Sequence, residues 1–125
     1  MATATMTART IKTPHGPASV AVVMKQLKKG LHYLETHGWC QGTYRDFNTG
    51  KVCAVGGITH VHTGKQAGPN SDIRLAACAL LANAAGIRKT VRPSQRSEIT
   101  VIEWNDKKGR KAHEVTKAYK TAIRM

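Results

Sequence analysis

The sequence predicts a mainly α fold: a small single-domain helical bundle of three to five helices, with a short β-hairpin near residues 42–53. Three features predict it. Two segments, 20–34 and 115–123, place apolar residues three and four apart, as on one face of a helix. A third, 73–84, is apolar on nearly every side, as in a central buried helix. The run from 42 to 50 holds turn formers instead. A length of 125 residues suits one domain, and a hydrophobic fraction of 41% supplies a small core. The expected division is a flexible basic N-terminal arm over 1–16 and a single helical domain over 17–125.

The elements follow in order. The first sixteen residues are rich in Ala and Thr, carry Arg9 and Lys12, and lack the apolar stretch of a secretory signal, so they read as the arm. Pro17 and Ser19 open the first helix and Gly38 closes it. Its apolar stripe is Val20, Val23, Met24, Leu27, Leu31 and Leu34, with Lys25, Lys28, Lys29 and His32 opposite. Gly30 sits beside the stripe, where it permits a neighbour to approach closely. Phe47-Asn48-Thr49-Gly50 is the bend of the expected hairpin, between Gly42–Tyr44 and Lys51–Cys53. Cys53–Val61 reads as a short helix despite Gly56 and Gly57, and 63–71 as a loop.

Ser71 or Asn70 caps the central helix, which Gly86 stops. Ile87–Arg96 is a basic connector with Pro93. Ser97 is placed to cap a short helix through Trp104, although Ile99-Thr100-Val101-Ile102 has strand propensity. A turn over 105–109 leads to the last helix, where Val115, Ala118, Tyr119, Ala122 and Ile123 share one face and Lys117, Lys120 and Arg124 the other. The first and last helices are built alike and are expected to pack on the central one.

Charge is the strongest functional signal. Twenty Lys and Arg stand against seven Asp and Glu, a formal net charge of +13. The positive field of so small a chain suits a polyanion. The excess is lopsided: residues 107–125 carry Lys107, Lys108, Arg110, Lys111, Lys117, Lys120 and Arg124 against Glu114 alone, whereas 71–106 carry five basic residues against four acids. These seven cations are the main candidate nucleic-acid-binding residues. Lys25, Lys28 and Lys29 form a second patch, and the arm could reach a groove.

Catalytic and metal chemistry has weaker support. Cys40, Cys53, His60 and His62 lack the close Cys pair of a structural zinc site. A nucleophilic Cys40 with His37 or His60 has no evident orienting acid or oxyanion loop. Gly56-Gly57-Ile58 lacks the Gly-Lys-Ser/Thr ending of a phosphate loop. The bland reading is that Cys40 and Cys53 are packing residues, that Asn105 and Asp106 form a turn, and that Trp39 and Trp104 are core anchors. No catalytic, cofactor or metal residue is assigned. Three cysteines, an odd number, suggest a reducing compartment, and no apolar run approaches a membrane span.

Three blocks in order, His37-Gly38-Trp39-Cys40-Gln41-Gly42, Cys53-Ala54-Val55-Gly56-Gly57-Ile58 and Trp104-Asn105-Asp106, resemble a family of small proteins from actinobacteria and their phages. The resemblance covers about residues 20–124. It implies a compact, mostly helical domain in a bacterial or phage-infected cytoplasm, and it carries no activity. Gly57 replaces a frequent Ala, which loosens the helix there, and Lys111 replaces a capping Thr, which blunts the start of the last helix. The charge belongs to this member rather than to the family.

The expected function is non-enzymatic binding of nucleic acid, DNA before RNA, mainly through phosphate contacts. The competing reading is a protein-interaction module: a phage factor docking on an acidic host protein, or a small virion component.

Overall fold

A computed structural model describes residues 9–59, 71–87 and 92–124. Two strands and five helices succeed one another: β1 (Thr10–Thr13), β2 (Gly16–Ser19), α1 (Val20–His37), α2 (Gly56–Thr59), α3 (Ser71–Ala84), α4 (Gln95–Asp106) and α5 (Ala112–Arg124). The chain is mainly helical, as its periodicity predicts.

The hairpin lies at the N-terminal end of the described chain, not at 42–53. β1 and β2 pair antiparallel with Thr10 opposite Ser19 and Thr13 opposite Gly16. The Thr13 hydroxyl locks the turn: it donates to the Gly16 carbonyl at 2.6 Å and accepts from the His15 N–H at 3.1 Å. Residues 10–13 are therefore strand rather than arm, seated by buried Ala18 and partly buried Ile11. Residues 1–8 lie outside the described ones.

The 39–53 segment does bend at Phe47–Gly50, but it makes no ladder. Val52 bridges Trp39 in parallel and Arg45 antiparallel. The Cys40 N–H donates to the Val52 carbonyl at 3.0 Å, and the Val52 N–H donates to the Gly38 carbonyl at 3.1 Å. Val52 is thus shared between two extended partners, which satisfies its backbone without extending either pairing.

α1 begins and ends where its signals predict. The Ser19 hydroxyl accepts from the Val22 N–H at 3.4 Å. Gly38, at φ 102°, turns the chain out and donates its N–H to the Leu34 carbonyl. Val23, Leu27, Gly30 and Leu34 are buried, together with Gln26, whose amide donates to the Ile58 carbonyl at 2.7 Å. α2 is one turn inside the core. A Cβ on Gly30 would stand 2.8 Å from the Tyr119 ring and 2.9 Å from the Gly57 carbonyl, and one on Gly57 would stand 2.8 Å from the Tyr119 hydroxyl. Three elements therefore close on two glycines, and the Tyr119 hydroxyl donates to the Ala54 carbonyl at their meeting point. The Gly57 departure leaves the short helix intact.

α3 is central: Ile73, Leu75, Ala76, Ala77, Cys78, Ala79, Leu81 and Ala82 are buried, and it packs on α1, α4, α5 and the hairpin. Gly86, at φ 75°, ends it. The cap of α4 lies three residues before the expected one. Ser94 is the N-cap and Ser97 its reciprocal partner: the Ser94 hydroxyl accepts from the Ser97 N–H, and the Ser97 hydroxyl accepts from the Ser94 N–H. Helix prevails over strand propensity because Ser97, Val101 and Asn105, four apart, are the buried positions. The helix also runs on through Asp106, so Asn105 is helical and buried rather than part of a turn.

Candidate nucleic-acid interface

The basic C-terminal segment hangs on a polar clamp. Asn105 has no exposed surface, and its side chain joins all three sequence blocks. Its Oδ1 accepts from Trp39 Nε1 at 2.6 Å and from the Ala54 N–H at 2.9 Å. Its Nδ2 donates to the Cys40 carbonyl at 3.2 Å and to Asp106 Oδ1 at 2.9 Å. Asp106 Oδ1 also accepts from the Gly42 N–H at 3.0 Å. The Gln41 amide donates to the carbonyls of Asn105 and Lys107, at 2.9 and 3.0 Å. The end of α4 is thereby fixed to the 39–42 loop, and Lys107 leaves that anchor with its backbone already held.

The 107–111 turn is held from its other side by Arg110. Its Nε donates to the Trp104 carbonyl at 2.9 Å, its guanidinium carbon lies 4.3 Å from the Trp104 ring centroid, and its Nη1 is 3.4 Å from Glu114 Oε2. Gly109, at φ 91°, lets the turn close. Glu114 then starts α5 by accepting from the Lys111 N–H at 2.8 Å. That is half a capping box, so the helix begins sharply although Lys111 offers no side-chain acceptor. The same bond, with Arg110 beside it, holds the Glu114 carboxyl below the usual carboxylate range.

On α5, Val115, Ala118, Tyr119 and Ala122 are buried while Lys117, Lys120 and Arg124 are exposed. Lys120 lies 3.6 Å from Glu35 of α1. Lys120, Ile123 and Arg124 line a shallow groove with Leu31, one turn before Glu35 on α1. Lys28 stands seven residues, about two turns, before Glu35 on α1. Lys25 and Lys28 are exposed and Lys29 is half-buried.

The structure thus brings Lys107, Lys108 and Lys111 onto one turn and Lys117, Lys120 and Arg124 onto the helix that follows. Among the described residues, Lys107, Lys108, Lys111, Lys117 and Arg124 have no carboxylate partner. Arg110 differs from them: its charge is taken by Trp104 and Glu114, and its side chain is only 14% exposed. Sequence reasoning missed that stack, whose partners lie six residues apart across a turn.

The remaining candidates stay apart from this surface. Cys40 is half-buried, and Cys53 and Cys78 are buried. Burial raises all three thiols, Cys53 to about 11, so they are protonated near neutrality. Among the described residues no three His, Cys, Asp or Glu come together in a way that could hold a metal. His60 and His62 lie outside the described residues. Trp39 and Trp104 are half-buried against the core rather than enclosed by it. A cleft of about 360 Å³ beside the clamp is lined by Gly42, Thr43, Tyr44, Cys53, Ile102 and Asp106, and carries no cation. No described helix is long and apolar enough to cross a membrane.

A model of the family of unknown function DUF6197 matches residues 19–125, and the chain belongs to that family. No curated protein and no solved structure matches it.

Proposed function

For this member of DUF6197 we propose non-enzymatic binding of nucleic acid through phosphate contacts, as an accessory protein in an actinobacterial or phage-infected cytoplasm. One observation carries the reading. Five cations with no carboxylate partner among the described residues stand on a turn and a helix whose backbone is fixed by Asn105, Gln41 and Glu114. A preformed cationic strip binds phosphates at a low ordering cost. Affinity for a duplex should fall with salt along a log–log slope of roughly −4.5 if about five phosphates are neutralised. A slope near zero would reject the reading.

A second reading, a protein-interaction module, is favoured by Phe47. It is 86% exposed at the tip of its bend, with Arg45 5.8 Å from its ring centroid. A single host protein that co-purifies after nuclease treatment and a high-salt wash, and is lost on Phe47→Ser, would establish that reading instead.

A further inference from the structure

The Trp104–Arg110 stack lies between two concavities. One, of about 350 Å³, is lined by Ala84, Ala85, His113 and Lys117 among others. The second, of about 420 Å³, is lined by Gly86, Ile87, Thr100 and Lys107 among others. Ala85, Trp104 and Arg110 line both, so the two form one groove with the stack as its saddle. Both volumes fall in the range of small-ligand sites, roughly 300–1,000 Å³.

The chemistry of the groove is specific. Small side chains at the end of α3 leave room beside an indole and a guanidinium, both of which have flat faces. Arg110 cannot swing away freely, because its Nε is bonded to the Trp104 carbonyl and its Nη1 is paired with Glu114. A cation with no ion-pair partner among the described residues stands at either end: Lys107 where α4 ends, Lys117 on α5. The carboxylates lining it are Glu103 and Glu114, and Glu114 is already engaged by Arg110 and the Lys111 N–H. A flat indole–guanidinium seat in a mixed polar and apolar groove, flanked by two cations, matches a nucleobase between its two phosphates. Paired bases inside a duplex cannot reach such a seat, whereas unpaired bases stack on aromatic and guanidinium planes.

We propose that this groove seats an unpaired nucleobase against Trp104 and Arg110, with Lys107 and Lys117 on the flanking phosphates, so that the nucleic acid bound is single-stranded. The proposal rests on the nucleic-acid reading above and narrows its ligand class.

The test compares an oligo-dT strand, the same strand with abasic sites, and a duplex of equal length, at one salt concentration. The single strand is expected to bind about tenfold more tightly than the abasic strand, as one stacked base contributes, and more tightly than the duplex. It should also quench tryptophan emission, which the abasic strand should not. Arg110→Lys keeps the charge and loses the plane. It should abolish the preference for the single strand, with a thermal melt confirming the fold. Equal binding of all three ligands without quenching would overturn the groove proposal and leave phosphate binding standing, as would an Arg110→Lys protein that keeps the preference. Binding of none of them would overturn both.

Discussion

Trp39 Nε1 donates to Asn105 Oδ1 across 2.6 Å, joining the loop after α1 to the last turn of α4, 66 residues away. The bond matters because the same oxygen also holds the Ala54 N–H, while the amide of Asn105 holds the Cys40 carbonyl and Asp106. One buried side chain therefore satisfies groups from three separate segments, and the basic turn begins two residues later.

Asn105→Ala should be among the most destabilising single changes. It leaves the buried Ala54 N–H and the part-buried Trp39 indole N–H and Cys40 carbonyl without partners, each at up to about 1–3 kcal/mol. Because such losses do not add fully, the expected total is at least about 3 kcal/mol, a large part of the roughly 5–15 kcal/mol of a typical domain. Thermal and denaturant melts measure it. A melt indistinguishable from wild type would show that water replaces the clamp.

Gly30→Ala sets two effects against each other. Helix propensity favours Ala by about 1 kcal/mol. The new Cβ, however, would meet the Gly57 carbonyl at 2.9 Å as well as the Tyr119 ring at 2.8 Å. The ring can tilt, but the carbonyl belongs to the backbone of α2 inside the core. Overpacking of this kind costs about 1–3 kcal/mol, so net destabilisation is expected. Chemical denaturation of the variant decides the sign, and a stabilised protein would mean that α1 and α2 separate easily.

Stability should decline at alkaline pH. Burial raises the Cys53 thiol from an ordinary 9.0 to about 11, and raises the Cys78 thiol and the Tyr119 phenol in the same direction. The unfolded chain loses these protons first, so above about pH 9 it binds fewer protons than the folded one, and stability falls as pH rises. The Cys53 contribution is complete below about 9 and is lost as pH climbs to about 11. Melting temperatures taken from pH 7.5 to 10.5 should be level at first and then drop. In Cys53→Ala the drop should be shallower; an unchanged slope would place the effect elsewhere.

How much of this was legible in the sequence depends on the range of each interaction. Ser19, Gly38 and Gly86 mark helix ends through their own backbone neighbours, and the α1, α3 and α5 faces follow from a period inside each segment, so these were readable. The same geometry placed Lys117, Lys120 and Arg124 outward. Ser94 was passed over for Ser97 because the β-branched run after it disguised a helix whose buried positions are four apart. The hairpin was expected where turn formers are densest, yet Val52 there serves two partners, and a Thr13 hydroxyl makes the turn instead. Asn105 looked like a turn residue because its partners, Trp39, Cys40 and Ala54, lie 51 to 66 residues away. Arg110 likewise reads as one more cation in a basic run, because its stack on Trp104 and its pair with Glu114 form only when the 107–111 turn closes.

The decisive variant for the proposed function changes Lys117, Lys120 and Arg124 to Gln together. All three are exposed opposite the buried face of Val115, Ala118, Tyr119 and Ala122, so folding should be almost unaffected, and Gln keeps helix propensity near that of Lys and Arg. Among the described residues the one ion pair lost, Lys120 with Glu35, is a solvent-exposed pair at 3.6 Å, of a kind that contributes about 0–1 kcal/mol. The melt should therefore match wild type closely. Nucleic-acid affinity should weaken by a similar factor on every sequence, and the salt slope should shrink by up to about 3 if each residue meets a phosphate. Changing Lys25, Lys28 and Lys29 to Gln provides the comparison. A smaller loss in the same direction would show one continuous surface, and no loss would confine it to α5 and the 107–111 turn. If the C-terminal triple variant binds as tightly as wild type at moderate salt, the helix is only a solvated face and the protein-interaction reading takes its place.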